Sequence, residues 1–167
     1  MAATPIEKRF KILCEITRAQ HFAWREAVVE CGVAVPDEVV DRMWEITGHQ
    51  TADAYLKRLD RTRPLAAQVA ESIAWSSECM GENAVVEPGA EGRDEAHVRH
   101  LDCPWHAWHQ RLDLLEEDRR GCDIWFGTVV ADVNAALGTN LKIETLETKP
   151  DGCATCLRRL WVDEEGA

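Results

Sequence analysis

Apolar side chains recur at helical spacing through the first 80 residues. A stripe that recurs every three or four residues is typical of an amphipathic helix. Gly32 follows the first stripe, Pro36 precedes the second and Pro64 precedes the third, as expected for helix ends and starts. We expect Gly48 to weaken or break the second helix. The first stripe consists of Ile6, Phe10, Leu13, Ile16, Phe22, Ala27 and Val28.

The pattern changes after Asn83, where short apolar runs are separated by polar, Pro- and Gly-containing segments. Such runs predict strands. Two longer stripes predict helices, the first beginning at Pro104 and the second at Asp123, with a charged turn over residues 116–121 between them. Gly138 is expected to end the second helix. The four predicted strands cover residues 84–87, 97–101, 141–148 and 155–162.

These elements predict an α+β fold, in which an N-terminal helical layer is followed by a ββααββ half with an antiparallel sheet. The helical layer is placed at residues 1–80 and the α+β half at residues 83–163. A chain of 167 residues has the length of one ordinary domain. We therefore expect a single domain over residues 1–167.

The net charge of the chain disfavours two classes of binding partner. A formal net charge of −11 disfavours binding to nucleic-acid phosphates and to anionic lipid surfaces, so neither nucleic acid nor a membrane is expected as a partner. No apolar run is long enough to cross a bilayer, and the N-terminus has no hydrophobic signal core. We expect a cytoplasmic protein, with a homo-oligomer or a larger enzyme complex left open.

The seven cysteines are the main candidates for chemistry. In a reducing compartment they are free thiols, metal ligands or redox groups rather than disulfides. Cys103 and Cys122 each stand at a predicted helix start, where the helix dipole favours a thiolate. Cys153 and Cys156 form a CxxC motif at the start of the last strand. With His106, three residues after Cys103, these cysteines predict a site for zinc or iron.

Carboxylates and tryptophans complete the predicted site. Glu144 and Glu147 lie three residues apart on a predicted strand and therefore face opposite sides of the sheet, so one of them is a candidate base. Three tryptophans are expected to wall a small apolar pocket for a ligand. They are Trp105, Trp108 and Trp125.

A simpler explanation stands beside each of these predictions. Free cysteines are often small buried apolar residues with no chemical role. His106 is more simply explained as a solvated residue of the helix. The acidic residues 116–118 are most simply a solvated turn.

The C-terminal part of the chain resembles a known family. Cys103-Pro-Trp, Cys122 with Asp123, and the stretch LKIETLETKPDG running into Cys156 resemble the L-2-amino-thiazoline-4-carboxylic acid hydrolase family and related small bacterial proteins. The match covers roughly the last 65 residues, and it implies a hydrolase with these cysteines at its site. The closing hairpin also resembles vinyl-reductase-type small-molecule sensor domains, which bind ligands or metal.

Two classes of function follow. The first is a small hydrolase-like enzyme, dependent on a metal or a thiolate, that acts on a small heterocyclic or amide-like carboxylic acid. In this class Cys103, Cys122 and Cys156 hold the metal or supply a thiolate nucleophile. Glu144, Glu147 or His106 moves protons. The second is a non-catalytic small-molecule or metal-binding module, either a sensor or an accessory subunit of a larger enzyme.

Overall fold

The computed structural model describes residues 5–163, and it confirms the α+β class with N-terminal helices. The described helices are α1 (Ile6–Glu30), α2 (Asp37–Leu56), α3 (Leu65–Cys79), α4 (Pro104–Arg111) and α5 (Leu115–Leu137). The described strands are β1 (Asn83–Pro88), β2 (Glu95–Asp102), β3 (Leu141–Glu147) and β4 (Cys156–Val162). The predicted ββααββ order of the second half is therefore the observed order.

The chain divides into two compact units, Met1–Val40 and Asp41–Ala167. The first unit contains α1, whose buried side chains are Cys14, Arg18 and Phe22. The second unit contains most of α2 and all later elements. That residues 1–167 fold as one domain stays a prediction.

The four strands of the second unit form one antiparallel sheet in the order β1-β2-β4-β3. Helix α3 packs against β1, β2 and β4, and α5 packs against β3. The core consists of residues from both helices and from the two central strands, and each is fully buried. They are Val69, Ile73, Val98, Val129, Val133 and Leu160.

Two glycines let α2 and α5 approach closely, and both overturn a prediction. Gly48 lies inside α2, which is unbroken. A Cβ at this position would collide with Thr128 and with the carbonyl of Trp125, which explains why the residue is a glycine. Gly121 lies inside α5, where a Cβ would collide with the indole of Trp44. In both helices the close approach explains a residue that local propensity counts as a weak point.

The predicted charged turn over residues 116–121 is wrong, because α5 begins at Leu115 and runs through it. The break between α4 and α5 lies at residues 112–114, where Asp113 has φ +59°. Two carboxylates of the first turn of α5, Glu117 and Asp118, are buried rather than solvated. The predicted helix end at Gly138 is confirmed, with the glycine in the left-handed conformation at φ +68°.

Candidate functional site

The structure brings three of the predicted cysteines into one region of the second unit. Cys103 precedes α4, Cys122 lies in α5, and Cys156 is the first residue of β4. All three are partly buried free thiols. The charge of Cys156 raises the pKa of Cys103, and that of Cys103 raises the pKa of Cys122, so the three lie within electrostatic range of one another. We call Cys103, Cys122 and Cys156 the thiol cluster.

Cys103 occupies the predicted position at a helix start, with Pro104 following it in the first turn. Burial nevertheless raises the pKa of the Cys103 thiol to about 12, and the Glu82 carboxylate adds to the rise. The backbone N–H of His106, in the first turn of α4, lowers this pKa by a smaller amount. The loss of hydration therefore raises the pKa more than the N–H group at the helix start lowers it, and Cys103 stays a neutral thiol at pH 7.

Cys122 is inside α5 and not at a helix start, so the predicted dipole effect does not act on it. Burial raises its pKa well above the usual range, and the nearby Arg158 guanidinium opposes this rise. Burial also raises the pKa of Cys156, although the backbone N–H of Lys149 donates a hydrogen bond to its sulfur at 3.3 Å. All three members of the thiol cluster are therefore poor sources of thiolate.

Asp118 links the thiol cluster to two histidines of α4. Its side chain is 6% exposed, with Oδ1 3.1 Å from Nδ1 of His109 and Oδ2 3.3 Å from Nδ1 of His106. His109 is 1% exposed, so it is a core residue that faces a carboxylate. The negative charge of Asp118 raises the pKa of each thiol in the cluster.

Two buried basic side chains face the same region from the sheet. Arg158 on β4 lies over the ring of Phe126, 4.6 Å from its centroid, and its ion pair with Asp123 spans 3.9 Å. His100 on β2 places Nε2 2.9 Å from Oγ of Ser77. Burial and, to a smaller extent, the charge of Arg158 lower the pKa of His100 to about 4. His100 is therefore a neutral imidazole at pH 7.

The other predicted polar residues lie elsewhere. Cys153 is exposed in the turn before β4, and Glu144 is exposed on β3. Glu147 accepts hydrogen bonds from Arg99 and Thr155, each at 3.1 Å. Arg99 and Glu147 both pair with Leu157, the residue after Cys156. Because successive residues of a strand face opposite sides of the sheet, Arg99 and Glu147 lie on the face away from Cys156. A role for either glutamate as a base stays a prediction.

The three predicted pocket tryptophans have different surroundings. Trp125 is buried, stacks on Phe126 and donates a hydrogen bond from Nε1 to Oγ1 of Thr51 at 2.9 Å. Trp108 is half-buried beneath the guanidinium of Arg111, 3.7 Å from the ring centroid. Trp105 is half-buried on α4. Trp125 is accounted for by core packing, and contact of any of the three with a ligand stays a prediction.

The classification of the chain as metal-binding is corrected by the arrangement of its possible ligands. Within residues 5–163 no group of three or more His, Cys, Asp or Glu side chains is placed to hold a metal ion. The ligand set predicted from Cys103, His106, Cys122, Cys153 and Cys156 includes the exposed Cys153, and the histidine among them faces Asp118. A bound zinc or iron ion stays a prediction for metal analysis.

Three residues of this region were missed by the sequence patterns. The sequence predicts a solvated turn at Asp118, and it places neither Arg158 nor His100 in the site. The alternation along β2 and β4 carries the missing signal, because His100 shares a face with Val98, and Arg158 shares one with Leu160. For Asp118 the signal is weaker, since it depends on recognising the first turn of α5.

Comparison with known proteins gives one informative result. No family model matches the chain, and no curated protein matches it. Among solved structures, the chain is similar to a trafficking protein particle complex subunit 3 from Naegleria fowleri, which is covalently bound to palmitic acid. The two chains share 16% sequence identity at a TM-score of 0.58, over 92% of this chain and 97% of the other. At this identity the similarity establishes the fold.

This match corrects two predictions. The similar structure is a trafficking complex subunit and not a member of the L-2-amino-thiazoline-4-carboxylic acid hydrolase family, so the resemblance based on the C-terminal motif is wrong. The hydrolase-like function that depended on that resemblance is wrong with it. The motif has little specificity, because a cysteine before a proline and a hairpin that ends in cysteine are short features.

None of the helices described in residues 5–163 combines the length and the hydropathy that a membrane-spanning segment needs.

Proposed function

We propose that this chain is a non-catalytic subunit of a protein assembly, and that it contacts its neighbour in that assembly through an exposed apolar face of α1. This is the accessory-subunit alternative of the sequence analysis. The observation that carries the proposal is the pattern of exposure along α1.

One face of α1 has an exposed repeat with alternating spacings of four and three residues. It consists of Ile6, Phe10, Leu13, Thr17, Gln20, Trp24 and Ala27, all of them exposed, and we call this set the α1 seam. An average spacing of 3.5 residues is the repeat by which one helix packs along another. The seam runs roughly 32 Å along the helix.

The large apolar side chains of the α1 seam are exposed, and so are Ile12 and Ile16 on the neighbouring face of the helix. Ile6 is 62% exposed, Leu13 59%, and Phe10 and Trp24 40% each. The residues that α1 buries, Cys14, Arg18 and Phe22, lie at other positions of the helix and not on the seam. An apolar stripe of this length on a helix surface marks a site of interaction with another protein.

The thiol cluster supports a role without catalysis. A thiol with a pKa of about 12, as at Cys103, has roughly one thiolate per 100,000 molecules at pH 7. A cysteine nucleophile needs the opposite shift, towards or below neutral pH. The buried charge of Asp118 works against that shift at all three cysteines.

The similar solved structure is described as a subunit of a trafficking protein particle complex. That description belongs to the other protein, and it supports the proposal because the same fold serves there as one part of an assembly. No trafficking role and no lipid are transferred to this chain.

The test is the native size of the tagged chain in extracts of its own cells. Wild type is expected to elute well above its own mass of 18.8 kDa. Leu13→Glu, on the α1 seam, is expected to shift the chain towards that mass, because a charge in a helix seam lacks a buried partner. Val29→Glu is the matched control, since Val29 is 56% exposed on the same helix but lies off the seam.

The proposal is supported only if the larger species is lost with Leu13→Glu and kept with Val29→Glu. A wild-type chain that elutes at its own mass contradicts it. A larger species that is equally sensitive to both substitutions contradicts it as well. Circular dichroism and thermal unfolding of both variants establish that each is folded.

A further inference from the structure

We infer that the occupant of the α1 seam is a second copy of this chain, with the two α1 helices packed antiparallel. The inference rests on the proposed function, because it names the partner for the same surface. Three features of α1 point to this pairing: the size of facing side chains, the central polar pair and the distribution of charge.

The side chains of the α1 seam are complementary in size to those of a second seam that runs in the opposite direction. If the helices run antiparallel and cross at the middle of the seam, Phe10 faces Ala27 of the other copy and Leu13 faces Trp24. Each large aromatic residue then meets a smaller side chain. In a parallel pair each residue meets its own copy, which places two Trp24 indoles together and two Ala27 methyl groups opposite each other. Antiparallel packing avoids both the crowding and the gap.

The centre of the seam is polar in a way that suits the same register. Thr17 faces Gln20 of the other copy when the helices are antiparallel. The Thr17 hydroxyl donates to the carbonyl of Leu13 at 2.9 Å, which leaves its oxygen to accept a hydrogen bond from the Gln20 amide. A polar pair inside an otherwise apolar seam fixes the register of two helices.

The charges beside the seam favour the antiparallel orientation. The N-terminal part of α1 carries Lys8, Arg9 and Lys11 against the single acid Glu7, and its C-terminal end carries Glu26 and Glu30 against Arg25. Antiparallel packing brings the basic end of one helix to the acidic end of the other, whereas parallel packing places the two basic ends together. Antiparallel packing places Arg9 of each copy beside Glu30 of the other, so each dimer contains two such pairs.

The experiment measures self-association of the purified full chain by analytical ultracentrifugation. Wild type is expected to form a dimer. Arg9→Glu and Glu30→Arg each place two like-charged pairs in the dimer and are expected to weaken self-association roughly tenfold. An equal mixture of the two variants forms a heterodimer in which both pairs are opposite in charge again, so the wild-type affinity is expected to return.

Lys8→Glu is the matched control, because it makes the same change of charge next to Arg9 but faces away from the seam. It is expected to leave the dimer unchanged. The inference is overturned if the mixture associates no more tightly than the separate variants, or if Lys8→Glu weakens the dimer as much as Arg9→Glu.

The two proposals fail in different ways. A purified wild-type chain that stays monomeric, while the species in extracts is still lost with Leu13→Glu, overturns the second copy and keeps the seam as the site of another partner. A purified dimer that is insensitive to Leu13→Glu overturns the second copy on the α1 seam, and the proposed function fails with it only if the larger species in extracts is insensitive to Leu13→Glu as well.

Discussion

Acidification should destabilise the second unit through one buried imidazole, that of His100. Its side chain is 5% exposed, and its pKa is lowered to about 4, mainly by burial and also by the charge of Arg158, although the buried Glu82 carboxylate lies 3.6 Å from Nε2 and favours the protonated ring. In the unfolded chain its pKa is that of an ordinary histidine, 6.5. Above pH 6.5 the ring is neutral in both states. Below it the unfolded chain takes up a proton that the folded chain resists until about pH 4, so stability falls as the pH falls.

The size of this effect follows from the two pKa values. Each pH unit between them costs about 1.4 kcal/mol of folding free energy, so the complete loss is at most about 3 kcal/mol, and between pH 7 and pH 4.5 it is about 2 kcal/mol. This is a large fraction of the stability of an ordinary domain. The effect levels off below pH 4, once the folded state also binds the proton.

The assay is urea unfolding of wild type and of His100→Gln at pH 7 and at pH 4.5. Glutamine can reach Oγ of Ser77, as Nε2 of His100 does at 2.9 Å, but it does not titrate. Carboxylates whose pKa is lowered in the folded state, such as Glu95 with its hydrogen bond to Arg159, also reduce the stability of the protein as the pH falls. This contribution is the same in wild type and in the variant, so it cancels in the comparison. Wild type should lose about 2 kcal/mol more than the variant. Equal losses in the two proteins would refute the reasoning.

Three further predictions concern the thiols and the helix contact. At pH 7 the exposed Cys153 should react with iodoacetamide much faster than Cys103, and equal rates followed by mass spectrometry would contradict the raised pKa of Cys103. Asp118→Asn should lower the pKa of Cys103, seen as faster alkylation between pH 8 and 10, and an unchanged rate would count against a role for the aspartate charge. Gly121→Ala should destabilise the fold by about 1–3 kcal/mol through overpacking, whereas Gly127→Ala, in open space on the same helix, should stabilise it by up to about 1 kcal/mol. Thermal unfolding of both variants checks this pair, and a stabilising Gly121→Ala would contradict it.

The elements of the fold were largely predictable because they depend on local periodicity. The stripe from Ile6 to Val28, the strand runs and the stop at Gly138 are all visible in the chain. Gly48 and Gly121 were misjudged because their role depends on α2 and α5 lying side by side, and local propensity does not report such a contact. The sheet order β1-β2-β4-β3 also depends on pairing between distant segments.

The candidate site was predictable only in part. The sequence does not decide whether Cys103, Cys122 and Cys156 lie close together, and the structure places them in one region. Their protonation differs from the sequence-based expectation. The expected thiolates depended on helix position, whereas burial dominates the pKa of Cys103 and Cys122. Burial is a property of the assembled structure, so a helix start in the sequence overstates reactivity. The first apolar stripe predicts an amphipathic helix but not which of its residues are buried, because an apolar side chain looks the same in sequence in either case: Phe22 is buried, whereas Ile6 and Leu13 are exposed.

The place of β4 in the sheet determines when folding can finish during synthesis. Among the strands that the structure describes, β3 pairs with β4 alone, and β4 also links β3 to the β1–β2 hairpin. Until Cys156–Val162 has left the ribosome, the hairpin and β3 have no backbone connection within the sheet, and both present open edges. The contact that completes the sheet joins segments about 60 residues apart, such as Glu95 and Trp161, so it forms late. A pause in translation before residue 156 would therefore prolong an intermediate with exposed strand edges, which is prone to aggregate.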